Sequence, residues 1–221
     1  MFLRSLEVVT MKHTFPEYEA LNRLKRGVSH TPHIKAKQIK GLSIPCVVVD
    51  YKTGRSVELL SQGEKYIWYL LRFDDEIEDI YEQYPLDLEI TLELSRKYGI
   101  LHPKNTFTPM TTDFFVKKKD GYAAYSVKND RSVLDKRRNV EKLFLEKMYW
   151  DKLGIEFHLV FKEDLNMTLV NNIMDVVTCY DPKNIFDQFD KIRYKIAHKM
   201  IDIDLESKPI NYRQIMEKEY E

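Results

Sequence analysis

The dipeptide Asp120-Gly121 most constrains how this chain can fold, because it lies between two runs of strand-forming residues. Asp-Gly in this position is the strongest local signal for a β-hairpin, since a two-residue primed turn needs positive φ at both central residues. With these two residues as the loop, Lys119 faces Tyr122 and Asp113 faces Lys128. The sequence therefore predicts a hairpin that holds an acid and a lysine side by side on one face of a sheet.

An opposed aspartate and lysine admit two interpretations. On a solvated face they form an ion pair that contributes about 0.2–1 kcal/mol to stability. In a catalytic site they suit metal-dependent phosphodiester hydrolysis, in which a carboxylate holds the metal and an ammonium stabilises developing negative charge. The hairpin by itself favours the surface pair, so the rest of the sequence has to decide.

Composition describes an ordinary globular protein. The 221 residues are 43% hydrophobic and 32% charged, enough for one substantial domain and a small one. No apolar run is long enough to span a membrane and no signal-peptide pattern opens the chain, which predicts a cytoplasmic protein. Two cysteines, Cys46 and Cys179, make neither a disulfide framework nor a zinc site.

Positive charge is concentrated in two clusters although the net charge is zero. The absence of net charge argues against a protein that coats nucleic acid by electrostatics alone, so tight DNA binding is expected only with a partner. Each cluster taken singly is more typical of a solvated surface. The candidates for phosphate contact are Arg23, Lys25, Arg26, Lys35 and Lys37 in the first cluster, and Arg131, Arg137 and Arg138 in the second.

Local patterns divide the chain into three parts. Residues 1–43 form a basic N-terminal arm, residues 44–165 an α/β domain, and residues 166–221 a small region of short helices. Within the domain the patterns predict the order β-β-α-β-α-β-β-α-β, a mixed α/β layout around one sheet. Besides the hairpin, the predicted strands are at 44–51, 56–60, 78–84 and 155–161. One predicted helix starts at Ser61, and the others cover 87–98, 136–153, 169–179, 184–200 and 210–220.

A second carboxylate is required near Asp113 if the pair is catalytic, and Glu64 is the candidate. Glu64 follows Ser61 by three residues, a spacing that equally predicts a capping box at the start of a helix. The two interpretations are left open. On the helix after the hairpin, Glu141 and Glu146 could line the site, but the pattern favours a solvated face for them; Tyr149 and Trp150 are expected in the core.

Several motifs resemble, in order and near spacing, those of the TnsA family, the endonuclease subunit of heteromeric cut-and-paste transposons. The resemblance covers roughly residues 20–181. Its motifs are Tyr51-Lys52-Thr53-Gly54-Arg55, Leu59-Leu60-Ser61-x-x-Glu64, Ile80-Tyr81-Glu82-Gln83-Tyr84-Pro85-Leu86, Gly99-Ile100-x-His102-Pro103, Thr112-Asp113-Phe114-x-Val116, Lys119-Asp120-Gly121, Val127-Lys128 and Glu141-Lys142-Leu143-x-Leu145-Glu146-x-x-Tyr149-Trp150.

The resemblance implies a PD-(D/E)xK restriction-endonuclease-like fold, a mixed sheet flanked by helices, with a small helical C-terminal region. It makes Glu64 and Asp113 metal-binding carboxylates, the carbonyl of Val127 a further ligand and Lys128 the catalytic lysine. The metal would be Mg²⁺, for which Mn²⁺ can substitute, in a site for two ions. The C-terminal region is shorter than the family's, and is either a reduced helix-turn-helix-like unit or a helical tail.

One position departs from the pattern that the resemblance implies. Strand alternation puts Ser126 on the face of Lys128, where related nucleases carry an acid or an amide, so we expect weaker metal binding. The alternative is that Ser126 only packs against Phe115 across the hairpin.

The implied function is a metal-dependent DNA endonuclease that cleaves the 5′ strands at transposon ends in a prokaryotic cytoplasm. Its partners would be DNA, a TnsB-like DDE transposase and a TnsC-like ATPase regulator. Two alternatives remain open: a stand-alone phage or repair nuclease of the same fold, and a degenerate scaffold without catalysis.

Overall fold

The computed structural model describes residues 30, 32–38, 44–103 and 108–219, so most of the predicted basic arm at 1–43 lies outside the described residues. The strands are β1 (Cys46–Val49), β2 (Ser56–Leu59), β3 (Ile77–Pro85), β4 (Thr111–Lys118), β5 (Gly121–Lys128) and β6 (Glu156–Phe161). The helices are α1 (Gln62–Phe73), α2 (Leu88–Tyr98), α3 (Arg137–Leu153), α4 (Met167–Val176), α5 (Gln188–Ala197) and α6 (Tyr212–Glu219).

The predicted order of strands and helices is confirmed, and so is a mixed sheet flanked by helices. The sheet has the order β3-β4-β5-β6, with antiparallel pairing from β3 to β5 and parallel pairing of β6 with β5. Helix α3 provides the crossover that two parallel neighbours need.

The prediction of one sheet is wrong for the described residues, because β1 and β2 pair with each other as a separate two-stranded sheet. A side chain takes the place of a further strand beside β3. The guanidinium of Arg55 donates to the carbonyl of Ile80 at 2.9 Å, which satisfies an acceptor on the outer edge of β3.

The predicted hairpin is present, but its register differs from the expected one. Phe114 pairs with Tyr125 and Lys118 with Gly121, so the loop is Lys119-Asp120 instead of Asp120-Gly121. Neither loop residue has positive φ, and Gly121, at φ 152°, has it instead. A primed turn is therefore absent. Because the register moves by two residues, side chains keep their faces but Asp113 and Lys128 are not directly opposed.

Apolar side chains fill both faces of the four-stranded sheet. On one face Phe114 packs in a cluster with Trp68 of α1, and on the other the adjacent Phe115 packs with Tyr149 and Trp150 of α3. The predicted core positions Tyr149 and Trp150 are confirmed, since they are 0% and 1% exposed. The two-residue period of β4 thus supplies a core on each side.

Glycines end two of the predicted helices, and the predicted C-terminal helices are also present. Gly99 and Gly154 end α2 and α3 with a φ of 63°, a conformation that favours glycine. Helices α4 and α5 contribute Ile173 and Ile192 to the same apolar cluster as Trp68. No helix in the part of the chain that the structure describes is both long and apolar enough to cross a membrane.

A buried ion pair joins three segments that surround the start of β3. The Arg72 Nε atom donates to Asp50 Oδ1 at 2.8 Å, and both residues are 3% exposed. A second nitrogen of Arg72 donates to the carbonyl of Glu78 at 3.1 Å. Burial alone would raise the pKa of Asp50, but hydrogen bonds from Arg72, Thr53 and the Lys52 N–H outweigh it and leave the pKa below its ordinary value.

We expect Arg72→Met to lower the free energy of unfolding by about 3–5 kcal/mol, because it leaves the Asp50 carboxylate buried without its partner. Urea denaturation at pH 7 measures the effect, with Arg96→Met as a control at an exposed position of α2. The stabilisation by the pair should be present above the ordinary aspartate pKa of 3.8 and be lost as pH falls through the lower folded-state pKa. Equal effects of the two substitutions would contradict the pair's importance.

Candidate active site

Glu64 lies in the first turn of α1, where its backbone and its carboxylate both contact Ser61 and the carboxylate has further partners. The Glu64 N–H donates to Ser61 Oγ at 3.1 Å, which forms the predicted N-cap. The carboxylate does not complete the expected box through the Ser61 N–H; it accepts the Ser61 hydroxyl at 3.2 Å, the N–H of Leu60 at 2.9 Å and the Gln83 Nε2–H at 3.2 Å. The cap thus uses the main chain of Glu64, while its carboxylate contacts a residue of the sheet.

A glycine allows the first turn of α1 to approach the strand that carries the lysine. A Cβ at Gly63 would lie 3.1 Å from Cγ1 of Val127, closer than nearly all such contacts. This close approach brings Glu64 to the end of β5.

Asp113 lies where the ladder between β4 and β5 ends. Its carboxylate accepts the Val127 N–H at 2.6 Å, the Lys128 ammonium at 3.2 Å and the Gln83 amide at 3.4 Å. A side chain thus continues the pairing of the two strands past Phe114. The expected Asp113–Lys128 contact exists, although Lys128 makes it by reaching back along the strand.

The ammonium of Lys128 is surrounded by oxygen atoms. Besides Asp113 it contacts Ser126 Oγ at 2.9 Å and the Val127 carbonyl at 2.9 Å. Burial alone would lower the pKa of Lys128, but the charges of Asp113, Glu146 and Glu64 outweigh it and raise the pKa. At neutral pH this side chain is therefore a cation that can stabilise negative charge, and not a general base.

Ser126 belongs to this cluster and does not pack against Phe115, whose partner across the hairpin is Ala124. Ser126 is 1% exposed, and its hydroxyl binds the ammonium of Lys128. The alternative in which Ser126 only fills space beside Phe115 is therefore wrong, and the reason is the shifted register.

The catalytic candidates line a cleft of about 410 Å³. Its lining combines the start of α1, the start of β4, the end of β5 and the start of α3. The lining residues are Ser61, Glu64, Asp113, Val127, Lys128, Asn129, Asp130, Ser132, Val133, Lys136 and Asn139. The fold therefore brings Glu64, Asp113, Val127 and Lys128 to one solvent-accessible place.

The oxygen atoms in this cleft are ligands that suit a hard divalent cation. Burial and the nearby charge of Asp113 raise the pKa of Glu64 to about 8, so two adjacent ionised carboxylates lack enough compensating positive charge. No group of three or more His, Cys, Asp or Glu side chains suited to a metal occurs among the described residues. Two carboxylates and the Val127 carbonyl are nevertheless sufficient protein ligands for Mg²⁺, which keeps several waters.

Glu146 is a site residue that the sequence analysis placed on a solvated face, and that expectation is wrong. It is 6% exposed, and its carboxylate accepts a hydrogen bond of 2.5 Å from the Thr112 hydroxyl. Burial raises its pKa to about 7, against the opposing charge of Lys128. Its spacing of three residues from both Leu143 and Tyr149 places it on the buried face of α3, which is the signal that could have found it.

None of the predicted phosphate contacts that fall within the described residues lines the cleft. Arg23, Lys25 and Arg26 lie outside the described residues, and Lys35 and Lys37 are exposed beside a 3₁₀ turn, Ala36–Gln38. Arg131 pairs with Glu163 and Asp164, and Arg137 and Arg138 both pair with Glu141. Lys136, a further member of the second basic cluster, and Asn139 line the cleft instead.

We expect Glu146→Gln to stabilise the protein at pH 8 by about 1–3 kcal/mol. A carboxyl whose folded-state pKa is raised makes the wild type less stable as pH rises from the ordinary value of 4.5 through about 7, and glutamine removes that dependence. Thermal or urea unfolding between pH 5 and pH 8 measures it.

The control is Glu141→Gln, because arginine partners lower the pKa of Glu141. Its effect should have the opposite sign at neutral pH and should shrink as pH falls. A pH-independent difference between wild type and Glu146→Gln would contradict the raised pKa.

Comparison with known proteins finds two sequence similarities. The sequence family described as TnsA-like endonuclease N terminal matches residues 74–162, which include Asp113, Lys128 and Glu146. The chain is also 29% identical over 170 residues to the Transposon Tn7 transposition protein TnsA of Escherichia coli. That match covers 72% of this chain and 62% of the relative, so it spans less than two thirds of the relative's length.

Two independent observations thus coincide in one part of the chain. The matched segment contains the sheet that carries Asp113 and Lys128, and the sheet with its flanking helices has the layout of a PD-(D/E)xK-like nuclease fold. Residues 74–162 of the chain are thus similar to the N-terminal domain of the TnsA-like endonucleases.

Proposed function

We propose that the chain is a metal-dependent DNA endonuclease that cleaves the 5′ strands at transposon ends, as the TnsA-like subunit of a heteromeric transposase. The observation that carries the proposal is the convergence of Glu64, Asp113, the Val127 carbonyl and Lys128 at one cleft. A solvated ion pair would not need a second, buried carboxylate, a neighbouring carbonyl and an open cavity beside it.

The residues divide the work as follows. Glu64, Asp113 and the Val127 carbonyl hold one or two Mg²⁺ ions, for which Mn²⁺ can substitute. With a metal bound, these residues would place positive charge at the scissile phosphate, where the ion would also lower the pKa of a water. Lys128, kept protonated by the acids around it, stabilises the extra negative charge on the phosphate.

The DNA strand would cross the start of α3. A second cavity, of about 290 Å³, shares Lys128, Val133 and Asn139 with the catalytic cleft and is also lined by Lys142. The two cavities flank Lys128, as a path for the nucleotides on either side of a scissile phosphate requires. Lys136 and Lys142 are exposed and have no ion-pair partner in the described part of the chain, so their charges are available to phosphates.

The partners proposed are a TnsB-like DDE transposase and a TnsC-like ATPase regulator. The similarity to a Tn7 transposition protein and the zero net charge support this proposal. A chain without excess positive charge gains little from non-specific attraction to DNA, so recognition of the transposon end would belong to the transposase.

We expect Asp113→Ala to abolish nicking of supercoiled plasmid in Mg²⁺ or Mn²⁺ and to remove the rise in melting temperature that the metal causes. The matched control is Asp120→Ala, in the exposed loop of the same hairpin, which should leave both properties unchanged. Gel electrophoresis and thermal unfolding measure the two effects.

The same assay tests the dependence on partners. Weak cutting by the chain alone that increases greatly with a transposase would support the proposal. Vigorous unaided cutting would favour a stand-alone nuclease instead, and absence of metal binding in the presence of DNA would overturn the catalytic assignment.

We expect the double substitution Lys136→Gln/Lys142→Gln to weaken binding to duplex DNA and to reduce the slope of log affinity against log salt by about 1–2, because each lysine lost removes one phosphate contact. Fluorescence anisotropy between about 50 and 200 mM salt, with Ca²⁺ in place of Mg²⁺, measures the slope.

The control for this pair is Lys117→Gln/Lys119→Gln at the far end of the hairpin, where the lysines pair with Glu78 and Glu76. It makes the same change in net charge. Equal slopes for the two double variants would show that DNA does not cross the start of α3.

A further inference from the structure

Gln83 has a backbone conformation that is unusual for its residue type. It lies on β3 between Glu82, which pairs with Phe114, and Tyr84, which pairs with Thr112, so it is level with Asp113 of the next strand. Its φ is 48°, one of two positive values among the described non-glycine residues. Such strain persists only where the surroundings impose it, and it is concentrated at functional sites.

The side chain of Gln83 connects the two catalytic carboxylates. It is 1% exposed, and its Nε2 atom donates to Glu64 at 3.2 Å and to Asp113 at 3.4 Å. Its Oε1 atom accepts the Thr111 hydroxyl at 3.5 Å, which orients the amide with its two hydrogens toward the acids.

Contacts on both sides of Gln83 hold its backbone in place. The Gln83 carbonyl accepts the His33 N–H at 3.2 Å, and the preceding carbonyl, of Glu82, is 2.8 Å from Nε2 of His30. The Glu82 carboxylate is fully buried and accepts the Arg55 guanidinium at 2.7 Å. These bonds offset the free-energy cost of the strained conformation. A glutamine at the surface would not need that conformation.

We propose that Gln83 is a positioning residue that holds Glu64 and Asp113 together as a divalent-cation site before the metal binds. The proposal rests on the proposed function. Two carboxylates that approach each other repel, and a neutral amide with two donors can hold both without adding a charge that competes with the incoming cation. The amide comes from β3, on the other side of β4 from Ser126, which itself offers only a hydroxyl.

The test is the affinity of Mn²⁺ for the full chain, measured by calorimetry and by the loss of the free-ion electron paramagnetic resonance signal. Gln83→Asn tolerates positive φ but is too short to reach both carboxylates, and Gln83→Gly removes the amide and the strain together. We expect the dissociation constant for Mn²⁺ to rise about tenfold or more in both variants, as for other residues that orient metal ligands. Gln214→Asn, at an exposed position of α6, is the control.

The positioning role predicts a pattern that a merely structural glutamine would not give. Circular dichroism should show that both variants are folded, with the melting temperature of Gln83→Gly equal to or above that of Gln83→Asn because the strain is removed. High Mg²⁺ should restore most of the maximal nicking rate while the Mg²⁺ concentration for half-maximal rate increases.

Unchanged Mn²⁺ affinity in folded variants, while wild type binds Mn²⁺ and cuts DNA, would overturn the assignment of Gln83 and leave the proposed function intact. Absence of Mn²⁺ binding to wild type, with DNA present, would overturn the proposed function and this inference together.

Discussion

The hydrogen bond from the Val127 N–H to the Asp113 carboxylate, 2.6 Å long, is the contact on which the site depends. At that point the backbone pairing of β4 with β5 has ended, and a side chain replaces the missing carbonyl. The bond fixes Asp113 beside the strand whose next residue is Lys128, and it leaves the Val127 carbonyl among the donors of the cleft. One contact thus joins sheet geometry to the placement of an acid, a carbonyl and an ammonium.

Around Lys128, negative charge from carboxylates exceeds positive charge. Glu64 and Glu146 have raised pKa values because they are buried near Asp113, while Lys128 is the cation they share. Removing three carboxylates from water around one ammonium costs stability, which the two apolar clusters on the faces of the sheet offset. A site of this kind gains stability from a divalent cation, because the cation supplies the charge that the chain lacks.

The scaffold brings these groups together from distant parts of the chain. Gly63 lets α1 approach β5. The hydrogen bonds of Glu82 hold the adjacent Gln83 in its strained conformation between two acids. The C-terminal helices pack against α1 on the far side, so the helix that carries Glu64 is fixed by core residues on one side and by the sheet on the other. The precision of the cleft therefore depends on residues that never contact a substrate.

Local sequence patterns are enough to predict the order of strands and helices, the cap at Ser61, the glycine ends of α2 and α3, and a face shared by Asp113 and Lys128. These features depend on periodicity and on the preferences of single residues, which act over a few positions. Four other features depend on tertiary contacts: the register of the hairpin, the separate β1–β2 sheet, the burial of Glu146 and the place of Gln83 between two carboxylates. Each of these depends on contacts between residues far apart in the chain, such as Arg55 with Ile80 and Thr112 with Glu146, and no local pattern records such contacts.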